Sequence, residues 1–269
     1  MKRNQPTGED AGHEGGRIPG GLLLHQPMRI MAIRQENATT RSFVLDGKLD
    51  ALPGQFVMAW LPDIDEKPFG LALADPVTLT IAAVGPFSQA LHDLQAGDLI
   101  WIRGPLGKGY LLPGGDHAPM RNLLIGGGYG VAPLFFLAQR LLSLKQPVAM
   151  IIGARTAHGL LFVEQIRKLG IPLQLTTEDG SQGLPGLVTD AVGPILDGEP
   201  RLASMIYACG PPGMLQAIAR VGMKRRVQVQ LSWEAHMRCG IGLCGSCEVG
   251  DGWLVCLDGP VFQADPTGG

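Results

Sequence analysis

Four of the five cysteines, Cys239, Cys244, Cys247 and Cys256, fall in one short stretch near the end of the sequence. Four residues separate the first two, two separate the second and third, and eight separate the third and fourth. Three thiolates bunched on one tight loop, with a fourth standing off, is the plant-type [2Fe–2S] spacing. Gly240, Gly242 and Gly245 are interleaved with the first three cysteines. A loop wrapped closely round inorganic sulfide favours backbone without Cβ. An iron–sulfur centre carries single electrons, so the spacing points to a redox path. Two other uses of four cysteines stay open. Structural zinc also takes four thiolates, though its motifs usually arrive as two close pairs with a longer spacer. Two disulfides would need a secreted chain.

A second chemistry is written in glycine. Gly126, Gly127 and Gly128 follow a short apolar run, and Gly130 precedes a stretch of helical length, VAPLFFLAQRLLSL. A glycine-rich strand-to-helix turn lets backbone approach a pyrophosphate, and the helix N-terminus favours its charge. The spacing is not GxGxxG, so a tight turn with only a packing role is the competing reading. The stretch Tyr207-Ala208-Cys209-Gly210-Pro211-Pro212-Gly213-Met214 is a second glycine-marked strand end, and the two could line one crevice. Cys209 reads as a small buried residue rather than a nucleophile.

The elements that must position these residues change character along the chain. Short β-type runs punctuated by Gly and Pro fill residues 25–115: Met28–Ile33, Ser42–Leu45, Gln55–Trp60, Val77–Val84 and Leu99–Ile102. They predict an antiparallel β-barrel interrupted by one helix, Gln89–Leu94, with Ser88 as N-cap. From 116 to 233 strands alternate with helices. The strands are Arg121–Ile125, Val148–Gly153, Leu173–Thr177, Met205–Cys209 and Val227–Leu231. The helices follow Gly130 and begin near Phe162, Leu187 and Gly213. This pattern predicts a doubly wound parallel sheet, with residues 234–269 as a separate cysteine-bearing segment.

The chain has 269 residues, 45% hydrophobic, with net charge −2. That is ample for a buried core, and the charge gives no electrostatic case for nucleic acid or an anionic membrane as partner. No apolar run approaches the roughly 20 residues that span a bilayer. The first 24 residues are polar and glycine-rich without the apolar core of a signal peptide. They predict a disordered tail and a cytoplasmic protein.

Together these residues carry a family likeness. GGGYGVAP and YACGPPGM resemble the nicotinamide-binding signatures of the ferredoxin–NADP reductase superfamily, whose members place a flavin-binding barrel before a nucleotide domain. CGIGLCGSCEVGDGWLVCLDGPVF and TEDGSQGLPGLVTD resemble the electron-transfer subunits of dihydroorotate dehydrogenase, and the likeness runs from about residue 27 to 263. It implies FAD, a [2Fe–2S] cluster held by Cys239, Cys244, Cys247 and Cys256, and NAD at Gly126, Gly127, Gly128, Gly130, Cys209, Gly210, Pro211 and Met214. It also implies an FMN-containing dihydroorotate dehydrogenase catalytic subunit as partner, in a heterotetramer, and a place in pyrimidine biosynthesis.

The flavin motif departs from the family. Where Arg-Pro-x-Ser is usual, this chain has Lys67-Pro68-Phe69-Gly70-Leu71. Lysine keeps the charge and loses the bidentate fork, and Gly70 lacks the hydroxyl. Gly85 and Ser88 match the family's phosphate-binding turn. Arg155 could meet the 2′-phosphate of NADP, while Glu178 and Asp179 oppose it, which favours NAD. His236 reads as a surface residue rather than a Rieske-type ligand. No acid–base pair or hydrolytic arrangement is present. The remaining alternatives are an NAD(P)H:ferredoxin-type oxidoreductase, alone or with a hydrogenase, sulfite reductase or transhydrogenase, and a zinc-stabilised nucleotide-binding redox sensor.

Overall fold

The structure is a computed structural model describing residues 24–113, 120–197, 204–250 and 252–264. Residues 1–23 of the expected tail, and the expected boundary between 115 and 116, lie outside the described residues.

Six strands close an antiparallel barrel in the order β1-β2-β5-β4-β3-β6. They are β1 (Gln26–Gln35), β2 (Thr40–Leu45), β3 (Phe56–Leu61), β4 (Asp65–Ala74), β5 (Val77–Ala82) and β6 (Leu99–Leu106), with α1 (Pro86–Asp93) between the last two. Closure leaves no free edge to pair with another chain. β4 holds the Lys67–Leu71 motif and was not foreseen, because Pro68 and Gly70 interrupt any strand pattern.

Alternation along β3 and β6 gives the barrel two working faces. Val57, Ala59 and Leu61 of β3 point into the barrel core with Ile100 and Ile102 of β6. Phe56, Met58 and Leu106 point outward and pack with Met237, Cys247, Val255 and Cys256. Successive side chains on a strand face opposite ways, so β3 serves both cores; on β6 the register shift opposite Phe56–Met58 turns Leu106 outward although Ile100 and Ile102 face in.

α1 is capped differently from the expectation. Gly85 is the N-cap, Pro86 opens the helix, and Ser88 sits in the first turn. The Ser88 hydroxyl accepts from the N–H groups of Val84 (2.9 Å) and Gly85 (3.0 Å), so it folds the turn back on itself. Pro86 at the first helical position lacks the N–H that would go unpaired there, and this fixes the start one turn earlier than Ser88 implies.

The second half forms a seven-stranded sheet in the order β10-β9-β8-β7-β11-β12-β15. Its elements are β7 (Arg121–Gly127), α2 (Val131–Ser143), β8 (Val148–Ala154), α3 (Val163–Lys168), β9 (Leu173–Thr177), β10 (Leu184–Pro185), α4 (Val188–Asp197), β11 (Ser204–Cys209), α5 (Pro212–Arg225) and β12 (Gln228–Ser232). All pairings are parallel except that of β12 with β15 (Val261–Ala264). Leu124, Met150 and Ile152 pack under α2 and α3, while Leu123, Ile125 and Ile151 pack under α4 and α5. The central strands are therefore covered on both faces, as their unbroken apolar runs require.

The segment after β12 is less separate than its composition suggests. β13 (Glu248–Val249) and β14 (Trp253–Leu254) make a small hairpin, and β15 then adds an antiparallel strand to the sheet edge. An open edge at β12 has unpaired backbone groups, and Val261–Ala264 takes them up. Among the described residues no helix is long and apolar enough to cross a membrane.

The strand ends at β7 and β11 are pressed together at Gly130. A Cβ there would collide with the Cys209 carbonyl and lie 2.9 Å from the Gly210 nitrogen. Backbone on both sides cannot yield cheaply, and overpacking of this kind costs typically 1–3 kcal/mol. Gly130→Ala is expected to lower the melting temperature of the cofactor-free chain by several degrees. An unchanged unfolding midpoint would overturn this account of the contact.

Candidate functional site

The sheet reverses direction at β7: the chain runs outward through β8 and β9, then returns to lay β11 on the other side. Open α/β sheets bind ligands in the crevice beyond the carboxyl ends of such strands. Two adjoining cavities lie there.

The first, about 260 Å³, opens between barrel and sheet. Pro68, Phe69 and Gly70 of β4 form one wall, and Gly130, Pro133 and Cys209 form another. Ser232 to Ala235 and Met237 close it on the side of the cysteine segment, together with Phe56. A Cβ on Gly70 would rest 3.7 Å from Pro133, an ordinary contact, so the motif glycine is not demanded by packing.

The second, about 740 Å³, spreads over the ends of β7, β8 and β9. Gly127, Gly128, Arg155, Thr176, Glu178, Pro211, Gly213 and Met214 line it. Thr176 Oγ1 is buried and has no hydrogen-bond partner, an orphaned polar atom in the wall. The glycines differ in purpose. A Cβ on Gly126 would press on Val131, and one on Gly127 would meet Met214 and Pro211 at 2.7 and 2.9 Å, so both serve packing. Gly128 has φ +56° and nothing within 4 Å of a built Cβ, and Gly213 is equally open. These are the positions where a ligand's phosphates can approach backbone. Gly213 also lies in the first turn of α5, whose N–H groups have no intrahelical partner.

Ala82, Val84 and Tyr129 line both cavities. The Tyr129 hydroxyl donates to Glu234 Oε2 at 3.2 Å across their junction. The Glu234 charge, with burial, pushes Tyr129 up to about 12. Glu234 keeps an edge in solvent, yet the walls round its carboxyl desolvate it and raise its pKa, against the opposing pull of Tyr129. Cys209 is buried at the end of β11, where burial and then the Glu234 charge push its thiol up to about 12. It stays a neutral thiol at physiological pH, in keeping with a non-nucleophilic role.

Several sequence candidates stand back from the cavity walls. Lys67 forms an ion pair with Asp65 two residues away on the same strand. Leu71 is fully buried in the barrel core. Gly85, Ser88, Gly126 and Gly210 shape turns beside the cavities without lining them. Asp179 is tied into its own turn by Ser181, whose N–H and hydroxyl donate to it at 3.0 and 2.6 Å, which leaves Glu178 as the acid on the rim. His236 is exposed, close enough to Asp65 to act on its charge.

Two of the four clustered cysteines, Cys247 and Cys256, belong to one small core, and Cys239 and Cys244 lie outside it on the same loop. Cys247 and Cys256 are buried, Cys239 is half-buried and Cys244 is exposed. Gly240, Gly242 and Gly245 all take positive φ, 68°, 79° and 71°, which turns the chain so that its amides converge. The N–H of Gly242 donates to Cys256 Sγ at 3.1 Å, and that of Leu243 to Cys239 Sγ at 3.3 Å. Ile241 and Cys256 add N–H groups 3.5 Å from Cys239 and Cys247 sulfur. Amides aimed at sulfur stabilise thiolate charge, so the donor set fits an iron–sulfur cluster. Sequence reasoning missed Tyr129, Thr176 and Glu234. The signal for Glu234 was a single acid immediately beyond the end of an apolar strand, in SWEAHM, which composition alone does not separate from a solvated loop.

The comparisons agree with this division. The iron–sulfur cluster binding domain of dihydroorotate dehydrogenase B matches residues 234–267, and an oxidoreductase NAD-binding domain matches residues 124–220. A Methanocaldococcus jannaschii protein is 39% identical over 238 residues, covering 88% of this chain and 89% of its own. A Pyrococcus abyssi protein is 42% identical over 229 residues, covering 85% and 86%. Both are named as electron transfer subunits of dihydroorotate dehydrogenase B (NAD(+)). Among solved structures, an NADH-dependent reduced ferredoxin–NADP oxidoreductase studied for flavin-based electron bifurcation superposes with TM-score 0.76 at 28% identity, covering 91% of this chain and 90% of that one. An Amycolatopsis cytochrome P450 reductase shares the fold, with TM-score 0.63 at 24% identity over 75% of this chain and 67% of that one. The chain belongs to the family of dihydroorotate dehydrogenase B electron transfer subunits.

Proposed function

We propose that this chain passes electrons between NAD and the flavin of a dihydroorotate-oxidising partner subunit, through its own FAD and [2Fe–2S] cluster. One observation carries the reading. The first cavity adjoins the nucleotide cavity through Val84 and Tyr129, and adjoins the cysteine core through Phe56 and Met237. The order in space, nucleotide cavity, middle cavity, thiol cluster, is the order that converting a hydride into single electrons requires. Bound between them, a flavin supplies both two-electron and one-electron chemistry.

The chain's own residues do the placing. Gly128 and Gly213 admit the dinucleotide's phosphates, and the first turn of α5 favours their charge. Glu178 on the rim disfavours a 2′-phosphate, so the cavity suits NAD. Phe69, Gly70 and Cys209 line the cavity that would hold the flavin, with Tyr129 and Glu234 beside the second cavity. The turn from Gly85 through Ser88 and Lys67 stand behind these walls, where they would meet the flavin's phosphates only beyond the cavity itself. Cys239, Cys244, Cys247 and Cys256 hold the cluster. A cysteine loop open at Cys244 suits transfer to another protein, and the open edge is apolar: Leu243 is 80% exposed, Trp253 52% and Leu257 49%. The catalytic partner, an FMN-containing dehydrogenase subunit assembled with this chain as a heterotetramer, docks on that edge. A second reading keeps the same path with another partner; the likeness to the bifurcating oxidoreductase favours it.

Three outcomes test this function. Cys244→Ser is expected to abolish the visible [2Fe–2S] absorption, since an alkoxide is a poor substitute for thiolate. NADH should still bleach the bound flavin, and absorption of normal intensity would remove Cys244 from the ligand set.

Gly213→Asp puts a carboxylate in the open wall beside the α5 N-terminus. An acid there is favourable to the helix, so the fold is retained, while the charge repels a pyrophosphate. The KM for NADH with a dye acceptor should rise about tenfold or more with little change in kcat, and an unchanged KM would place the dinucleotide elsewhere.

The isolated chain is expected to oxidise NADH with artificial acceptors and to leave dihydroorotate untouched. Mixing it with the FMN-containing subunit from the same source should yield NADH from dihydroorotate and NAD⁺. Leu243→Asp should depress the mixed activity while sparing dye reduction. Activity from this chain alone, or no gain on mixing, would favour the second reading.

A further inference from the structure

We propose that Arg103 is a positioning residue that holds the Cys239 peptide under the cluster and sets the cluster's reduction potential, with Glu66 as its counter-charge; the proposal rests on the cluster reading above. Arg103 lies on β6 in register with Met58, on the outer face of the barrel that carries the cysteine core. Its side chain is only 7% exposed. A buried guanidinium needs partners to offset its lost hydration, and two are in place. Nε and one terminal nitrogen reach Glu66 Oε1 at 3.1 and 2.9 Å. That same terminal nitrogen donates to the Cys239 carbonyl at 3.0 Å. Glu66 is held from its other side by His25, whose Nε2 lies 2.8 Å from the same carboxylate oxygen.

Two consequences follow from this chain of contacts. The first is geometric. The Cys239 carbonyl is clamped to a rigid barrel strand, and the next amides, those of Ile241 and Leu243, are the ones that point at Cys239 sulfur. Holding the peptide holds those donors on the thiolate. The second is electrostatic. The guanidinium is one peptide away from a ligand sulfur, whereas the Glu66 carboxylate stands behind it. A cluster with four thiolates gains negative charge on reduction, so the nearer cation favours the reduced form and the acid opposes it. Arg238, the exposed arginine next to Cys239, is screened by solvent in a way that Arg103 is not.

The opposite signs make the test. The cluster's midpoint potential is measured by EPR-monitored redox titration of the holoprotein for the parent, Arg103→Gln, Arg103→Lys, Glu66→Gln and the Arg103→Gln/Glu66→Gln double variant. Arg103→Gln should lower the potential and Glu66→Gln should raise it. Each shift should be about tenfold in the electron-sharing equilibrium, 59 mV for one electron. The double variant, neutral again, should return toward the parent, and Arg103→Lys, which keeps charge without the fork, should fall between Arg103→Gln and the parent. The reduced EPR signal should change shape in Arg103→Gln through the released Cys239 peptide. Were Arg103→Gln to lose its cluster on purification, the direction of Glu66→Gln would decide. Potentials equal to the parent's in Glu66→Gln, or shifts of the same sign in both single variants, would overturn the proposal. A parent without iron and acid-labile sulfide would instead overturn the cluster reading on which it rests.

Discussion

Strand side chains alternate, and the wall formed by β3 and β6 uses both faces of that alternation. Inward, Val57, Ala59 and Ile102 complete a closed barrel. Outward, Phe56, Met58 and Leu106 are the floor on which the cysteine loop rests. The fit is close: a Cβ on Gly240 would lie 3.0 Å from Met58 and 3.3 Å from Leu106. The loop cannot lift from the barrel without exposing that floor, nor can the floor shift without disturbing the barrel core. Fully burying a side chain such as Met or Phe contributes about 1.5–3 kcal/mol, so three of them anchor a segment that has little regular structure of its own. The distance between the first cavity and the thiols is thus a property of one strand pair, not of a flexible linker.

The same economy of parts appears at the other boundary. Tyr129 follows directly on the glycine turn of the sheet and stands in both cavities, with its hydroxyl on Glu234. Glu234 in turn lies on the stretch that leaves β12 for the cysteine segment. This contact ties together the two cavities and the root of the cysteine loop. Cys209 is kept a neutral thiol by its burial first and by the Glu234 charge second.

How far the sequence could be read depended on whether a feature announces itself locally. The cysteine spacing, the two glycine-marked turns and the alternation of strands and helices after residue 120 are local, and each is where the sequence placed it. The barrel was legible as a class, but β4 was not, since a strand broken by Pro68 and Gly70 shows no period. The N-cap at Gly85 was masked by Ser88, which performs the capping bond from inside the first turn. Residues that act over long separations were invisible. Arg103 meets a carbonyl 136 positions away, and Tyr129 meets an acid 105 positions away. No pattern in a linear stretch marks an arginine on a strand as one that will be buried.

The departure at Lys67 shows how a motif can be kept in place while its chemistry is redistributed. An arginine fork at this position could meet an anion with two parallel bonds. Lys67 instead pairs with Asp65, and both remain partly in solvent, where such a pair contributes little to stability. The lysine's charge is thereby shared with a carboxylate. Elsewhere in the barrel the N-terminal turn of α1 has Pro86 at its first position and the Ser88 hydroxyl locking the backbone of Val84 and Gly85. A locked turn presents its amides without reorganising, whereas a lysine must be pulled from its partner. In this chain the backbone of that turn is held in advance, whereas the side chain at position 67 is already engaged.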